Sequence, residues 1–373
     1  MYSLSIFFFL SLGFILKTNN MKSISRILFF GILFFTSPTV FGQDTIVHAT
    51  ILDSNFIAAD KLYNAGVHKM KAQNYESAIE DFSKAIELRD SFEVAFFNRG
   101  VAEFALKRYE GSITDFDKAI ELNNQRAESF FKRGRAKQEL EDKEGAISDY
   151  NLALEIDDKT AGAYYYLGMY QFLDGNYENA IEQYTKAIDA KENYAYAYND
   201  RGSAKKQLED YDGAIKDYQK ALMYDNKMAF TYNNLGSAQR KTGNIKGAIQ
   251  SFSKAIAIDA DYYVAYNNRG SVKYDAEDYK GAVKDFQKAI AIKADYAYAF
   301  NNLAAAKFKL GDYSAAIKAC DKAIEINPTY SYAFLNRGNA KELIRDEKGA
   351  CEDWHKAIEL GAIGAEQHTS ICK

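Results

Sequence analysis

The chain has 373 residues, a formal net charge of −4, 47% hydrophobic and 26% charged residues, and only two prolines. That balance belongs to an ordered chain and excludes a disordered or low-complexity one. Its acidity argues against nucleic acid as a partner, because such binding rests on Lys and Arg neutralising phosphates.

Residues 1–42 carry Lys17, Lys22 and Arg26 and no acid, so a chain without them carries −7. From Met21 the segment reads as a secretory signal. Lys22 and Arg26 form the charged part, residues 27–35 the apolar part, and Val40-Phe41-Gly42 a small-residue cleavage site. Cleavage is expected after Gly42, leaving Gln43 first. A second apolar run, residues 4–16, lies upstream with no basic residue ahead of it. Both runs fall short of the roughly 20 apolar residues of a spanning helix. Two readings of this region stand: Met21 as the start with residues 1–20 an upstream extension, or an uncleaved membrane anchor. Residues 43–58 read as a short, flexible N-terminal arm in which Ile51, Leu52 and Phe56 could cover the first repeat.

From Ala59 the chain repeats every 34 residues, with starts at Ala59, Glu93, Ala127, Ala161, Ala195, Ala229, Tyr263, Ala297 and Ser331. Nine copies run to Gly364 without insertion or deletion, and a period of this kind means stacked supersecondary units. Each copy reads as two amphipathic helices around a polar turn. Position 8 is Gly in eight copies and Ala304 in the other; position 27 is Ala in all nine. Large rings oppose these small residues: position 24 is aromatic except at Cys320, and position 4 is always Leu, Phe or Tyr. Large-into-small complementarity is what a close-packed interior demands.

Gly at position 8, Tyr at 17, Ala at 20, an aromatic at 24 and Ala at 27 together resemble the tetratricopeptide repeat family, over 306 of 373 residues. The resemblance implies an all-α fold, a right-handed α-solenoid superhelix of nine helix-turn-helix repeats whose first helices line the concave face. It implies binding of protein or peptide and no chemistry. The family's proline at position 32 survives only as Pro328, so looser turns between repeats are expected.

Positions 7 and 23 covary within the chain. Arg99, Arg133, Arg201, Arg269 and Arg337 accompany Asp115, Asp149, Asp217, Asp285 and Asp353, while Leu167, Leu235 and Leu303 accompany Gln183, Ser251 and Ala319. An inter-helix ion pair, present or absent as a unit, accounts for this. The first copy breaks the rule with Ala65 and Asp81.

Position 6 is Asn64, Asn98, Asn234, Asn268, Asn302 and Asn336, and position 5 adds Asn199, Asn233, Asn267 and Asn301. In the family position 6 points into the groove, and these residues resemble the asparagine ladder of the O-linked sugar transferases. An Asn amide is donor and acceptor at once and matches the backbone of an extended peptide whatever its sequence. The alternative is a polar residue tolerated on a solvated helix face. Copies one to four offer rings instead, including Tyr63, Phe97, Phe131 and Tyr165, which reads as an apolar half of the groove. No copy has Lys at position 5, so the family's carboxylate clamp is not expected.

The last copy ends in Leu360-Gly-Ala-Ile-Gly364, and residues 365–373 read as a capping segment, because a terminal repeat must cover its apolar face. The stretch ACEDWHKAIELG with a cysteine near the chain end resembles a C-terminal signature of secreted bacterial tetratricopeptide proteins. In an oxidising compartment a Cys351–Cys372 disulfide is expected. Cys320 and Trp354 read as core residues. His48, His68, His355 and His368 stand at no metal-ligand spacing, and no phosphate loop, dinucleotide fingerprint or nucleophile elbow occurs, so no catalytic residue, metal, cofactor or small-molecule substrate is expected. Glu141-Asp142, Glu209-Asp210 and Glu277-Asp278 read as solvated turn residues. The expectation is a non-enzymatic scaffold, exported to the periplasm or cell envelope, that binds an extended segment in the Asn-lined groove. A structural subunit of an envelope complex, docking folded partners on its outer surface, is the alternative. Membrane contact is expected only if the leader is uncleaved.

Overall fold

The computed structural model describes residues 42–372, with side chains described from Ser54 onward. The leader expected in residues 1–42 lies, but for Gly42, outside the described residues. The chain divides into two units after Asp53, and the second, Ser54–Lys373, holds every repeat. In the first unit, residues 42–53 are helical, where a flexible arm was expected.

Eighteen α-helices are described: α1 (Gly42–Lys71), α2 (Tyr75–Leu88), α3 (Glu93–Ala105), α4 (Tyr109–Leu122), α5 (Ala127–Glu139), α6 (Lys143–Ile156), α7 (Ala161–Leu173), α8 (Tyr177–Ala190), α9 (Ala195–Gln207), α10 (Tyr211–Tyr224), α11 (Ala229–Lys241), α12 (Ile245–Ile258), α13 (Tyr263–Asp275), α14 (Tyr279–Ile292), α15 (Ala297–Lys309), α16 (Tyr313–Ile326), α17 (Ser331–Leu343) and α18 (Glu347–Glu359). A 3₁₀ helix, Ala365–Ile371, follows. The second unit is an α-solenoid in which each helix packs mainly on its neighbours in sequence. No helix among the described residues is long and apolar enough to cross a membrane.

The turn inside each hairpin is built from two adjacent residues with different tasks. Position 15 is left-handed in every copy, at φ 78–79° in Gly175, Gly243 and Gly311 and at φ 61–62° in Glu141, Glu209 and Glu277. The next residue caps the second helix: Asp142, Asp210 and Asp278 each accept the backbone N–H three residues on. That bond satisfies a donor the helix itself cannot. The acidic pairs are therefore turn residues with assigned work. Between repeats, Asn123, Asp157, Asp225, Asp259 and Asn327 accept from the N–H two residues on. These Asx turns hold the connection in the four of these copies that lack the proline, and in the one that keeps it, beside Pro328.

Within a hairpin, the glycine at position 8 lets the ring at position 24 lie against the helix backbone. A Cβ added at Gly270 would stand 2.7 Å from Phe286 Cε1, and one at Gly338 2.7 Å from Trp354. Copy eight inverts the pair, with Ala304 against Cys320, so the two departures from the pattern compensate. Cys320 is fully buried, and burial pushes its thiol up to about 12.

The Arg–Asp pairs join the two helices of a hairpin. Arg99, Arg133, Arg201, Arg269 and Arg337 each grip their aspartate with two parallel bonds of 2.6–2.9 Å. The third guanidinium nitrogen reaches the preceding repeat, at Ser83, Asp117, Thr185, Ser253 and Asp321 respectively, so one side chain staples three helices. Lys137, Lys205, Lys273 and Lys341, at position 11, add a second cation to the same aspartate at 2.7–2.8 Å. That lysine explains the first copy, where Lys69 meets Asp81 at 2.7 Å and substitutes for the missing arginine. The five arginine-held aspartates are buried with both carboxylate oxygens bonded, the condition under which buried charge is tolerated.

At the C-terminal end, Phe334, Ala357, Ala362 and Ala365 close the last core. Cys351 and Cys372 are joined by a disulfide with a Cα–Cα distance of 5.6 Å, and His368 stacks on the buried Trp354 at 5.2 Å.

Candidate functional site

The first helices bring positions 5, 6, 9 and 12 of successive copies onto one face, and the amides there follow a rule. Asn268 Nδ2 donates to Asn233 Oδ1, Asn302 to Asn267 and Asn336 to Asn301, each at 2.9 Å, and Asn234 to Asn199 at 3.3 Å. Every bond runs from position 6 of one copy to position 5 of the copy before. The position-5 asparagines are buried, and Asn199 also accepts from the buried Thr231 hydroxyl at 3.0 Å. Their carbonyl oxygens are spent inside the solenoid. The position-6 asparagines are half-buried: each commits one N–H and keeps an N–H and a carbonyl oxygen, which makes no bond among the described residues.

The first four copies differ. Asn98 donates to Tyr63 Oη at 2.9 Å, whereas Asn64, with no copy before it, is exposed. At the junction the direction reverses: the Tyr165 hydroxyl donates to Asp200 Oδ2 at 2.7 Å and Asn199 to Asp200 Oδ1 at 2.8 Å. Burial raises the Asp200 carboxyl above its ordinary range. The position-5 rings turn inward on the position-24 rings. Phe97 lies 5.7 Å from Phe116, Phe131 5.8 Å from Tyr150, and Tyr165 5.8 Å from Tyr184. Phe97 is a buried core residue and Phe131, Tyr165 and Tyr63 are half-buried, so these rings serve packing more than an open apolar surface.

Two adjoining pockets open over copies six to nine. One, of about 210 Å³, is lined by Arg240, Ser271, Tyr274, Asp275, Phe286, Asn302 and Ala305. The other, of about 220 Å³, is lined by Tyr274, Ala305, Phe308, Lys309, Asn336 and Asn339. They share Tyr274 and Ala305 and so form a continuous groove across four first helices, α11, α13, α15 and α17. Arg240 Nε and Asp275 Oδ2 meet at 2.6 Å in its wall. Further along the same face, the half-buried Lys206 has no counter-ion among the described residues, and burial lowers its pKa.

The sequence pattern contained the rung rule. Asn occupies position 5 in copies five to eight and position 6 in copies six to nine, an offset of one repeat. Reading positions within each copy concealed it.

Known proteins share the repeat and the fold. The tetratricopeptide repeat models match residues 63–127, 131–195, 231–262 and 297–330, and a TPR repeat model matches residues 202–243 and 270–311. A tetratricopeptide repeat protein from Parabacteroides merdae superposes with a TM-score of 0.52 at 17% identity, covering 65% of this chain and 97% of that one. PilF of Pseudomonas aeruginosa superposes with a TM-score of 0.50 at 20% identity, covering 56% and 96%. MamA is 31% identical over 44% of this chain and 91% of its own, with a TM-score of 0.41. A search among curated proteins returned no match.

Proposed function

Because the chain belongs to the tetratricopeptide repeat family, whose repeats serve as protein-interaction scaffolds, we propose that it binds an extended polypeptide segment along the first-helix groove of copies five to nine. The rung bonds support this reading. They fix each position-6 amide before any ligand arrives, so binding spends little entropy on ordering it. What each amide keeps, one N–H and one carbonyl oxygen, complements the carbonyl and the amide of a peptide backbone. The polar lining of Ser271, Asn302, Asn336 and Asn339 continues that complementarity along the groove.

The reading includes no catalytic step. It places the scaffold outside the cytoplasm, on the leader read in residues 21–42 and on the Cys351–Cys372 pair. Fractionation of the producing cell, with sequencing of the mature N-terminus, checks that placement; a cytoplasmic protein beginning at Met21 would refute it.

Partners captured from the exporting cell on the mature protein from Gln43 supply the ligand for the central test. Replacing Asn234, Asn268 and Asn302 by Ala removes three polar contacts of about 0.5–1.5 kcal/mol each, which weakens that partner's binding by about tenfold to a thousandfold. Hydrogen exchange on the same variant checks that the solenoid still forms. An intact solenoid with unchanged affinity sinks the proposal.

A further inference from the structure

The arginine staple is absent in copy six, and its absence leaves a notch. Where five copies place a guanidinium between three helices, copy six has Leu235 and Ser251, and the residue that would receive the staple's third bond is Gln219. A pocket of about 320 Å³ opens there between α10, α11 and α12, on the second-helix side and away from the groove. Leu235, Gln239 and Ser251 lie at its buried end, and Gln219, Gln250 and Lys254 are exposed at its rim.

Two side chains in it are incompletely used. Gln239 is only 9% exposed; its Oε1 accepts from Ser251 Oγ at 2.7 Å, and its Nε2 donates to no group among the described residues. Its two N–H groups are therefore free to meet an acceptor that enters the pocket. Lys254 is the second. Of its counterparts, Lys118, Lys186, Lys322 and Lys356 each pair with a glutamate of their own helix at 2.6–2.9 Å, whereas Lys84, Lys220 and Lys288 have no ion pair among the described residues and line no such pocket. Lys254 has Gln250 and Ala257 at those spacings and no ion pair among the described residues. Its ammonium lies 5.4 Å from the Tyr232 ring.

We propose that this notch is a second docking site, which takes the carboxylate of an aspartate or glutamate side chain presented by a protein partner. The lining supplies one positive charge and no carboxylate. A cation would face Lys254 with nothing to balance it, and a neutral group would leave Lys254 unused. A carboxylate accepts from Gln239 Nε2 at the buried end and meets Lys254 at the rim, both as charge-assisted bonds. At about 320 Å³ the pocket stands at the low end of ligand-site volumes and admits an inserted side chain.

The protein offers its own plug. Leu235→Arg with Ser251→Asp restores the pair that five other copies fold around and fills the notch. Met223, exposed on the rim, reports occupancy through its methyl resonance. With the mature protein labelled at methionine methyls, N-acetylglutamate amide is expected to shift that resonance saturably, and N-acetylglutamine amide is not. The plugged variant is expected to lose the response, and Lys254→Gln, an exposed change that fills nothing, to weaken it at least fivefold. No saturable shift with the glutamate probe overturns the proposal, as does an equal response to the glutamine probe or in either variant. None of these residues lines the groove, so the two sites fail or stand separately.

Discussion

The two halves of the solenoid solve one problem with different chemistry. In copies one to four, position 5 is a ring that packs against its own repeat's core, as Phe131 does on Tyr150. In copies five to eight it is a buried amide that binds the next repeat, as Asn267 does with Asn302. Rings need only contact and tolerate small shifts, whereas amides need donor opposite acceptor. The amide half therefore specifies the offset between repeats more narrowly and leaves polar atoms facing the groove. Cohesion is the use of the asparagine row that the rung bonds show, and recognition is the use proposed for it.

The largest expected effect is in the ring half. Phe131→Ala should cost about 3 kcal/mol, the low end for a phenylalanine truncation because the ring is half-buried. Since stability in a solenoid is local, hydrogen exchange across copies three and four is the measurement, and protection loss spread evenly over all nine copies would contradict this account. The arginine staple is common to both halves, so Arg133→Leu and Arg269→Leu should each cost about 3 kcal/mol by leaving a buried aspartate with one lysine. Adding Asp285→Ser to Arg269→Leu reproduces the copy-six combination and should recover more than half of that loss in a double-mutant cycle. A cost in one half only would mean that the halves differ at more than positions 5 and 6.

In the amide half, Asn267→Ala should cost about 1–2 kcal/mol, by leaving the Asn302 amide without its rung. The loss should appear as faster exchange between copies seven and eight. Asp200, at the boundary, gives a smaller and pH-dependent effect. Burial raises its folded-state pKa, so its ionisation destabilises the fold above that pKa and the penalty disappears as pH falls below the unfolded carboxylate's range. Asp200→Asn should therefore raise thermal stability at neutral pH and leave it unchanged in acid; a gain that persists in acid would place the cause elsewhere. Smallest, Glu209→Gly relieves a left-handed residue at φ 61° and should stabilise by up to about 1 kcal/mol, read as a small rise in Tm.

Much of this molecule was legible before any coordinates. The 34-residue period, the two helices per copy and the glycine-against-ring complementarity follow from residue size and spacing. The Arg–Asp pair was legible because both members change together. The lysine that supports it was not, since position 11 varies without that covariation: Glu103 stands there in copy two and turns instead to Arg108. Phe97 illustrates a different limit. A ring at a surface-facing register reads as exposed until the second helix of its own repeat is in place, and here it is buried against Phe116.

Local pattern alone determined the hairpin, because helix periodicity, a left-handed turn residue and an Asx cap act within one copy and need no neighbour. The use of each polar atom was decided only in the assembled solenoid. Whether Asn267 faces a ligand or its own repeats depends on the stagger of adjacent copies, which sums many small packing contacts. The notch of copy six is of the same kind: Leu235 and Ser251 record a missing pair, but the space they leave exists only once three helices surround it.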